Sequence, residues 1–151
     1  MSSKTLILLA SHHRESNTEQ FVQEIYGDNP YQLINLLDYH IQSYSYSGQY
    51  STDDGFMNVI ATMQEYDDYV FATPLYWYSM SGLMKDFFDR LTDLTTETHK
   101  ELGKALKGKS VSVICAGSDP QPPLGFEQPF MLTAQYFGMI FKGVSYKAFV
   151  K

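Results

Sequence analysis

Residues 5–18 read T-L-I-L-L-A-S-H-H-R-E-S-N-T. Thr5–Ala10 form an unbroken apolar run that stops abruptly at polar residues. A short run with no polar alternation fits a strand buried on both faces, as in a parallel sheet. After the polar stretch, Phe21, Val22 and Ile25 recur at helical spacing, with Asn17 or Thr18 placed to cap the helix they define.

The same alternation continues outward from this stretch. A second apolar run, Tyr31–Leu37, follows the turn signal Asp28-Asn29-Pro30. Residues 38–55 are rich in Tyr, Ser, Gly and Asp and lack periodicity, so they read as a long loop, and such loops usually serve function. Asp53 or Asp54 then caps a helix whose apolar stripe is Phe56, Val59, Ile60 and Met63. Tyr69–Ala72 is a third strand, ended by Thr73-Pro74, because proline cannot continue an interior ladder. Leu83, Phe87, Leu91 and Leu94 mark a helix opening near Ser81. Gly103–Lys109 reads as a basic, glycine-bounded turn region, and Val111–Ala116 as a fourth strand. Phe130, Ala134 and Phe137 indicate a helix after the proline-rich loop 119–129, and Ile140–Val150 holds the last strand.

The order is β-α-β-α-β-α-β-α-β, which implies a parallel sheet with helices on both faces. With right-handed crossovers, five strands in 151 residues match the flavodoxin-like doubly wound α/β sandwich, strand order 2-1-3-4-5, better than a six-stranded sheet. No internal repeat is visible, and residues 1–151 are expected to form one domain.

Composition narrows the functional classes. With 44% hydrophobic and 19% charged residues the chain is globular, and its net charge of −6 argues against binding a nucleic-acid backbone. Cys115 is the only cysteine, which rules out an internal disulfide or a cysteine-built metal centre. At the end of a strand it reads as inert core. His12, His13, His40 and His99 show no metal-ligand spacing. The start Met1-Ser2-Ser3-Lys4 leads into an apolar run too short for a signal peptide, and no stretch approaches the roughly 20 apolar residues of a membrane helix. No membrane insertion and a cytoplasmic location are therefore expected.

In a sheet of this order, ligands bind outside the carboxyl ends of the strands, where the loops starting near Ser11, Thr73 and Ala116 meet. The first loop carries Ser11, Arg14, Ser16, Asn17 and Thr18 and opens a helix. Free amides and the dipole of a helix start attract anions, hydroxyls add donors, and Arg14 adds a forked cation, so a phosphate monoester fits. Helix capping alone explains Ser16, Asn17 and Thr18 nearly as well. The loop lacks G-x-G-x-x-G and the lysine of a nucleotide-hydrolysing loop. In the second loop, Tyr76-Trp77-Tyr78 offer an aromatic wall. Gly117, in the third, permits close backbone approach. Lys85 and Asp89, four apart on a helix, read as a solvated pair.

Two segments carry a family resemblance. A-S-x-x-R-x-S-N-T at 10–18 resembles the phosphate loop of the NADPH-dependent FMN reductases and flavodoxin-like quinone reductases, commonly G-S-x-R-x-x-S/G-N-T, with Ala10 where many members have glycine. Residues 73–90, T-P-L-Y-W-Y-S-M-S-G-L-M-K-D-F-F-D-R, are similar to the family's T-P-x-Y-x-x-x-x-S-G-x-x-K-x-x-x-D-R. The resemblance implies bound FMN, with Ser11, Arg14, Ser16, Asn17 and Thr18 on the phosphate. It places Pro74, Leu75, Tyr76 and Trp77 along the flavin ring, with Gly117 approaching it. It further implies NAD(P)H as co-substrate, a quinone, flavin or other small-molecule electron acceptor, and a homodimer. Hydride transfer demands no side-chain acid or base, so no catalytic residue is assigned. Iron–sulfur relatives carry cysteines in the loop after the second strand. Ile41–Gly48 have Ser and Tyr there, which are poor cluster ligands, so a flavin-only site is expected. Tyr44, Tyr46 and Tyr50 could cover the flavin or a partner subunit, or be ordinary surface. Two alternatives stay open: an electron carrier that does not oxidise NAD(P)H, and a flavin-free binding protein on the same fold.

Overall fold

The computed structural model describes residues 4–150; Met1–Ser3, on which the leader reading partly rests, and Lys151 lie outside them. Five parallel strands, β1 (Thr5–Leu9), β2 (Gln32–Asn35), β3 (Asp68–Pro74), β4 (Ser110–Gly117) and β5 (Ile140–Ala148), form one sheet in the order 2-1-3-4-5. Leu8 of β1 lies in register with Ile34 of β2 and Phe71 of β3, and Phe71 with Val113 of β4. The helices are α1 (Asn17–Tyr26), α2 (Phe56–Met63), α3 (Gly82–Arg90), α4 (Lys100–Lys104) and α5 (Gln128–Tyr136).

The unalternating strands are apolar because both faces are buried. Leu6, Leu8, Phe71 and Val113 point into the larger core, with Phe56 of α2, Phe87 of α3 and Phe130 of α5. Ile7, Leu9, Val70, Ala72 and Ile114 point the other way and pack with Phe21 and Val22 of α1. On that second face α1 covers the middle of the sheet, and β5 turns polar residues outward. Lys147 of β5 reaches Glu24 of α1 at 2.6 Å. Phe141, Val144 and Tyr146 pack on the opposite, larger core. This division explains why β5 alternates while β1 does not.

Three local expectations change. Ser16, not Asn17 or Thr18, caps α1, its Oγ accepting from the Glu19 amide at 3.2 Å. The basic turn region begins as the short helix α4, whose apolar residues are too few to reveal a period. Gly55, not Asp53 or Asp54, holds the cap position of α2; Asp54 supports the helix start from one residue further out, accepting from the Phe56 amide at 3.4 Å while engaged with Arg90.

That engagement organises the long loop. After a single turn of 3-10 helix, Leu36–Tyr39, the chain runs to Gly55 as an ordered strap. Arg90, at the end of α3, is 1% exposed and donates four hydrogen bonds: two to the Asp54 carboxylate (2.7 and 2.9 Å), one to Asp93 (2.9 Å) and one to the Gln42 carbonyl (3.0 Å). Its guanidinium lies 3.4 Å from the Tyr50 ring centroid and 4.6 Å from that of Phe56. The Gln42 amide donates to Asp54 at 2.8 Å, and the Tyr50 hydroxyl to Asp93 at 3.3 Å. Tyr50 is thus committed to the strap, whereas Tyr46 is exposed. Lys85 and Asp89 pair on the exposed side of α3 as expected.

Removing one member of a buried charge pair strands the other, so Arg90→Ala or Asp54→Ala should cost about 3–5 kcal/mol in denaturant unfolding. Burial pushes the Asp54 carboxyl up, but Arg90 and the Gln42 and Phe56 amides outweigh it and hold the group below its ordinary value. A depressed carboxyl contributes fully above the unfolded-state pKa of roughly 3.9 and loses its contribution as pH falls through the lower folded value. Asp54→Asn should therefore flatten the dependence of stability on pH below about pH 4. An unchanged acid slope would exclude this role.

Candidate functional site

Three loops converge at the carboxyl ends of β1, β3 and β4. Ser81 fixes two of them to each other. Its buried hydroxyl donates to the Ala10 carbonyl at 2.6 Å, and the same oxygen accepts from the Met84 amide at 3.1 Å, capping α3. The Ser81 amide donates to the Thr73 hydroxyl at 2.9 Å, which donates to the Pro74 carbonyl at 2.8 Å. The end of β1 and both ends of segment 73–81 therefore share one buried hydrogen-bond cluster.

Between those anchors the chain makes a tight hairpin. Tyr76 and Ser79 exchange amide–carbonyl bonds of 2.9 and 3.1 Å. Trp77 and Tyr78, at the tip, have φ of 49° and 70°. Positive φ at both central residues is the signature of a type I′ turn, a place normally held by Asn-Gly. Two aromatic residues there cost on the order of 1–3 kcal/mol each. Burial does not compensate, since Trp77 is 91% exposed and Tyr78 65%. Strained aromatics presented to solvent are a signature of a binding surface.

The cleft beside this hairpin has a volume of about 380 Å³, within the range of small-molecule sites. Its anionic end is the start of α1. Ser11, Ser16, Asn17 and Thr18 line it there. Ser11 is 1% exposed, and its hydroxyl has no hydrogen-bond partner. Ser16 Oγ spends its acceptor role on Glu19, which leaves its proton to donate. An unpartnered buried hydroxyl beside the free amides of a helix start is a donor set awaiting an anion's oxygens. Pro74, Leu75, Tyr76 and Phe149 add apolar and aromatic side chains to the lining. A phosphate monoester carrying a planar aromatic ring matches this combination.

Most of the residues expected from the sequence meet here. Ser11, Ser16, Asn17, Thr18, Pro74, Leu75, Tyr76 and Gly117 all line the cleft. Trp77 does not, since it stands at the hairpin tip. Arg14 does not either. Its side chain is exposed and paired with Asp38, beyond β2. His13 lines the cleft in its place. The pattern G-S-x-R-x-x-S carries its arginine two residues after the serine, and that position here is His13, so the signal lay in the register. Phe149, Val150 and Ser118 also line the cleft without having been anticipated. The first two arrive through tertiary structure: the Phe149 amide donates to the Gly117 carbonyl at 2.7 Å and draws the chain past β5 over the site.

Packing is a further reason for glycine at 117, beside its place in the cleft lining. A Cβ there would stand 2.4 Å from the Tyr146 hydroxyl and 3.1 Å from the Leu75 side chain. The glycine lets β5 and the wall of the cleft close on each other. Burial pushes the Cys115 thiol up to about 12, so it is an inert core group. Among the described residues, no cluster of His, Cys, Asp or Glu could hold a metal ion.

The comparisons with known proteins agree with this geometry. Residues 3–149 match the family NADPH-dependent FMN reductase. The chain is 31% identical over 93 residues to YwqN of Bacillus subtilis (strain 168), provisionally assigned as an NAD(P)H-dependent FMN-containing oxidoreductase. That match covers 60% of this chain and spans about half, 51%, of the relative. Two solved structures share the fold. The Trp repressor binding protein of Bacillus subtilis superposes with a TM-score of 0.78 at 24% identity, over 98% of this chain and 88% of that one. The general stress protein 14 of Treponema denticola, in complex with FMN, does so with 0.66 at 19%, over 95% and 84%. With the strand order, the cleft and the two matching segments in agreement, the chain belongs to the NADPH-dependent FMN reductase family.

Proposed function

We propose that the cleft binds FMN and that the protein transfers hydride from NAD(P)H to a small-molecule acceptor, a quinone, a flavin or another compound of that size. The observation that carries this reading is the unpartnered, buried Ser11 hydroxyl at the start of α1, beside the apolar wall 74–76. Ser11, Ser16, Asn17 and Thr18 hold the phosphate by hydroxyl and amide donors. Pro74, Leu75 and Tyr76 hold the ring, while the hairpin keeps Trp77 and Tyr78 at the rim, where a second planar molecule would approach. FMN supplies the redox chemistry when bound, accepting hydride and returning electrons to the acceptor. The protein's part is orientation and exclusion of water. The residues act as one domain, in the cytoplasm, with a second copy of the chain covering the exposed aromatics of segment 76–78. Among the described residues no helix is long and apolar enough to cross a membrane.

Four measurements test this. Ser11→Ala should weaken FMN binding roughly ten- to a hundredfold, the worth of a hydrogen bond to a charged group, and leave riboflavin affinity unchanged. The flavin-free variant should melt at or slightly above the parent, because an unpartnered buried hydroxyl is gone. Under anaerobic titration with NADH and with NADPH, the yellow FMN complex should bleach with at least one of them. Bound FMN that neither reduces would favour a carrier, and a protein that takes up no FMN would sink the proposal. Sedimentation at micromolar concentration should give a dimer; monomer alone would remove the second copy.

A further inference from the structure

We infer that the groove bounded by α3, α4 and α5 is a second binding site, separate from the cleft, for a small anionic amphiphile: a free molecule with an apolar chain and an anionic head such as a carboxylate. Two adjoining cavities of about 450 and 430 Å³ make up this groove, and they share the walls Thr95, Tyr136 and Phe137. The first is lined by Phe88, Leu91 and Leu132, with threonines and no charged group. The second carries Lys100, Lys104 and Lys107 and no carboxylate. An apolar trough that runs into a cluster of ammonium groups complements a chain that ends in an anion.

The flavin reading uses none of these residues. Lys107 stands just before β4 and Gly138 just before β5, so the lysine end lies at the amino ends of the strands, opposite the cleft. The eight residues of β4 separate the two ends by roughly 26 Å.

The lysines run against the charge of the chain as a whole. Its net charge is −6, yet four of its 11 Lys and Arg residues fall within residues 100–109. Lys109 is turned inward, donating to the Met63 and Gln64 carbonyls at 3.4 Å, which leaves three for the groove. Lys100 pairs with Glu97 at 2.8 Å and Lys104 with Glu101 at 3.5 Å. Both acids are exposed, and exposed pairs hold little energy, so a bound anion can take their place. Lys107 has no ion-pair partner among the described residues.

A solvated turn would need no shaped floor, and two glycines shape this one. A Cβ at Gly103 would stand 2.8 Å from the Leu94 carbonyl oxygen and 3.2 Å from the Phe137 ring, so its absence lets that ring close on α4. Gly138 has a φ of 74°, and a Cβ there would meet Lys107 Cγ at 3.1 Å; without it the lysine stem lies along the end of α5. Phe88 is held edge-on to Phe71 and Phe130, with ring centroids 5.0 and 5.2 Å apart, so the apolar floor is preformed. The outer wall remains uncovered: Leu132 is 54% exposed and Tyr136 71%. Covering such side chains is favourable, and a ligand that covers them while meeting three ammonium groups carries its charge at one end.

The test is titration calorimetry of the full chain, in excess FMN so that the cleft is filled, with decanoate and with its uncharged counterpart decanol. Decanoate should bind, and decanol about tenfold more weakly. The double variant Lys104→Gln, Lys107→Gln should lower decanoate affinity about tenfold and leave decanol unchanged. Leu132→Gln should weaken both ligands, and Lys142→Gln, on β5, should change neither. Thermal melting checks that each variant folds. Decanoate that does not bind at millimolar concentration, binds no better than decanol, or ignores the two lysines overturns the inference. Decanoate bound only when FMN is left out also overturns it, because the ligand would then sit in the cleft. Binding lost as the protein is concentrated into dimers does so too, because a second copy would then fill the groove. None of these outcomes bears on the FMN reading, which the flavin titrations test separately.

Discussion

The Ser81 hydroxyl holds the site together. It donates to the carbonyl of Ala10, one residue past β1, and accepts from Met84 in the first turn of α3. One buried oxygen thereby satisfies a strand end and a helix start that have no regular partners, and buried polar groups left unpaired would be costly. It also fixes where the loops lie. The phosphate end follows Ala10, and the aromatic hairpin lies between Pro74 and Met80. With both clamped to one point, the spacing between the two ends of the cleft is set by bonds of 2.6 to 3.1 Å and not by loop flexibility.

Stability is spent unevenly around that point. The Trp77-Tyr78 turn adopts a conformation that costs its residues energy and leaves them exposed. Opposite it, residues 40–55 have little regular structure, yet they are held by a buried arginine with carboxylate, carbonyl and aromatic partners. The strain at the hairpin persists because the flanking residues are over-determined. The strap covers the end of α3, so an otherwise irregular segment becomes part of the frame that carries the hairpin.

The electrostatics follow the same economy. The chain carries a net charge of −6, and the cleft wall is made of hydroxyls, amides and apolar groups, with a histidine where a permanent cation could have stood. Neutral donors in a partly water-excluded cleft bind an anion by direction more than by charge.

Local sequence determined the elements. A short apolar run without alternation fits a strand buried on both sides, and a serine-rich loop opening an amphipathic helix brings amides and hydroxyls to its start. The strand order followed from five such units and the handedness of their crossovers. Tertiary structure decided what each polar residue does. Arg14 and His13 are adjacent in sequence, and only the folded path of the loop turns one out to Asp38 and the other into the cleft. Arg90 sits on a helix as any surface arginine would, and its burial depends on Asp54, 36 residues away. Phe149 joins the site through an amide bonded to Gly117, a pairing between strands that are remote in the chain. The physical reason is common to all three. A side chain's partners come from elements that meet only when the sheet is assembled, whereas an element's own period is written in consecutive residues.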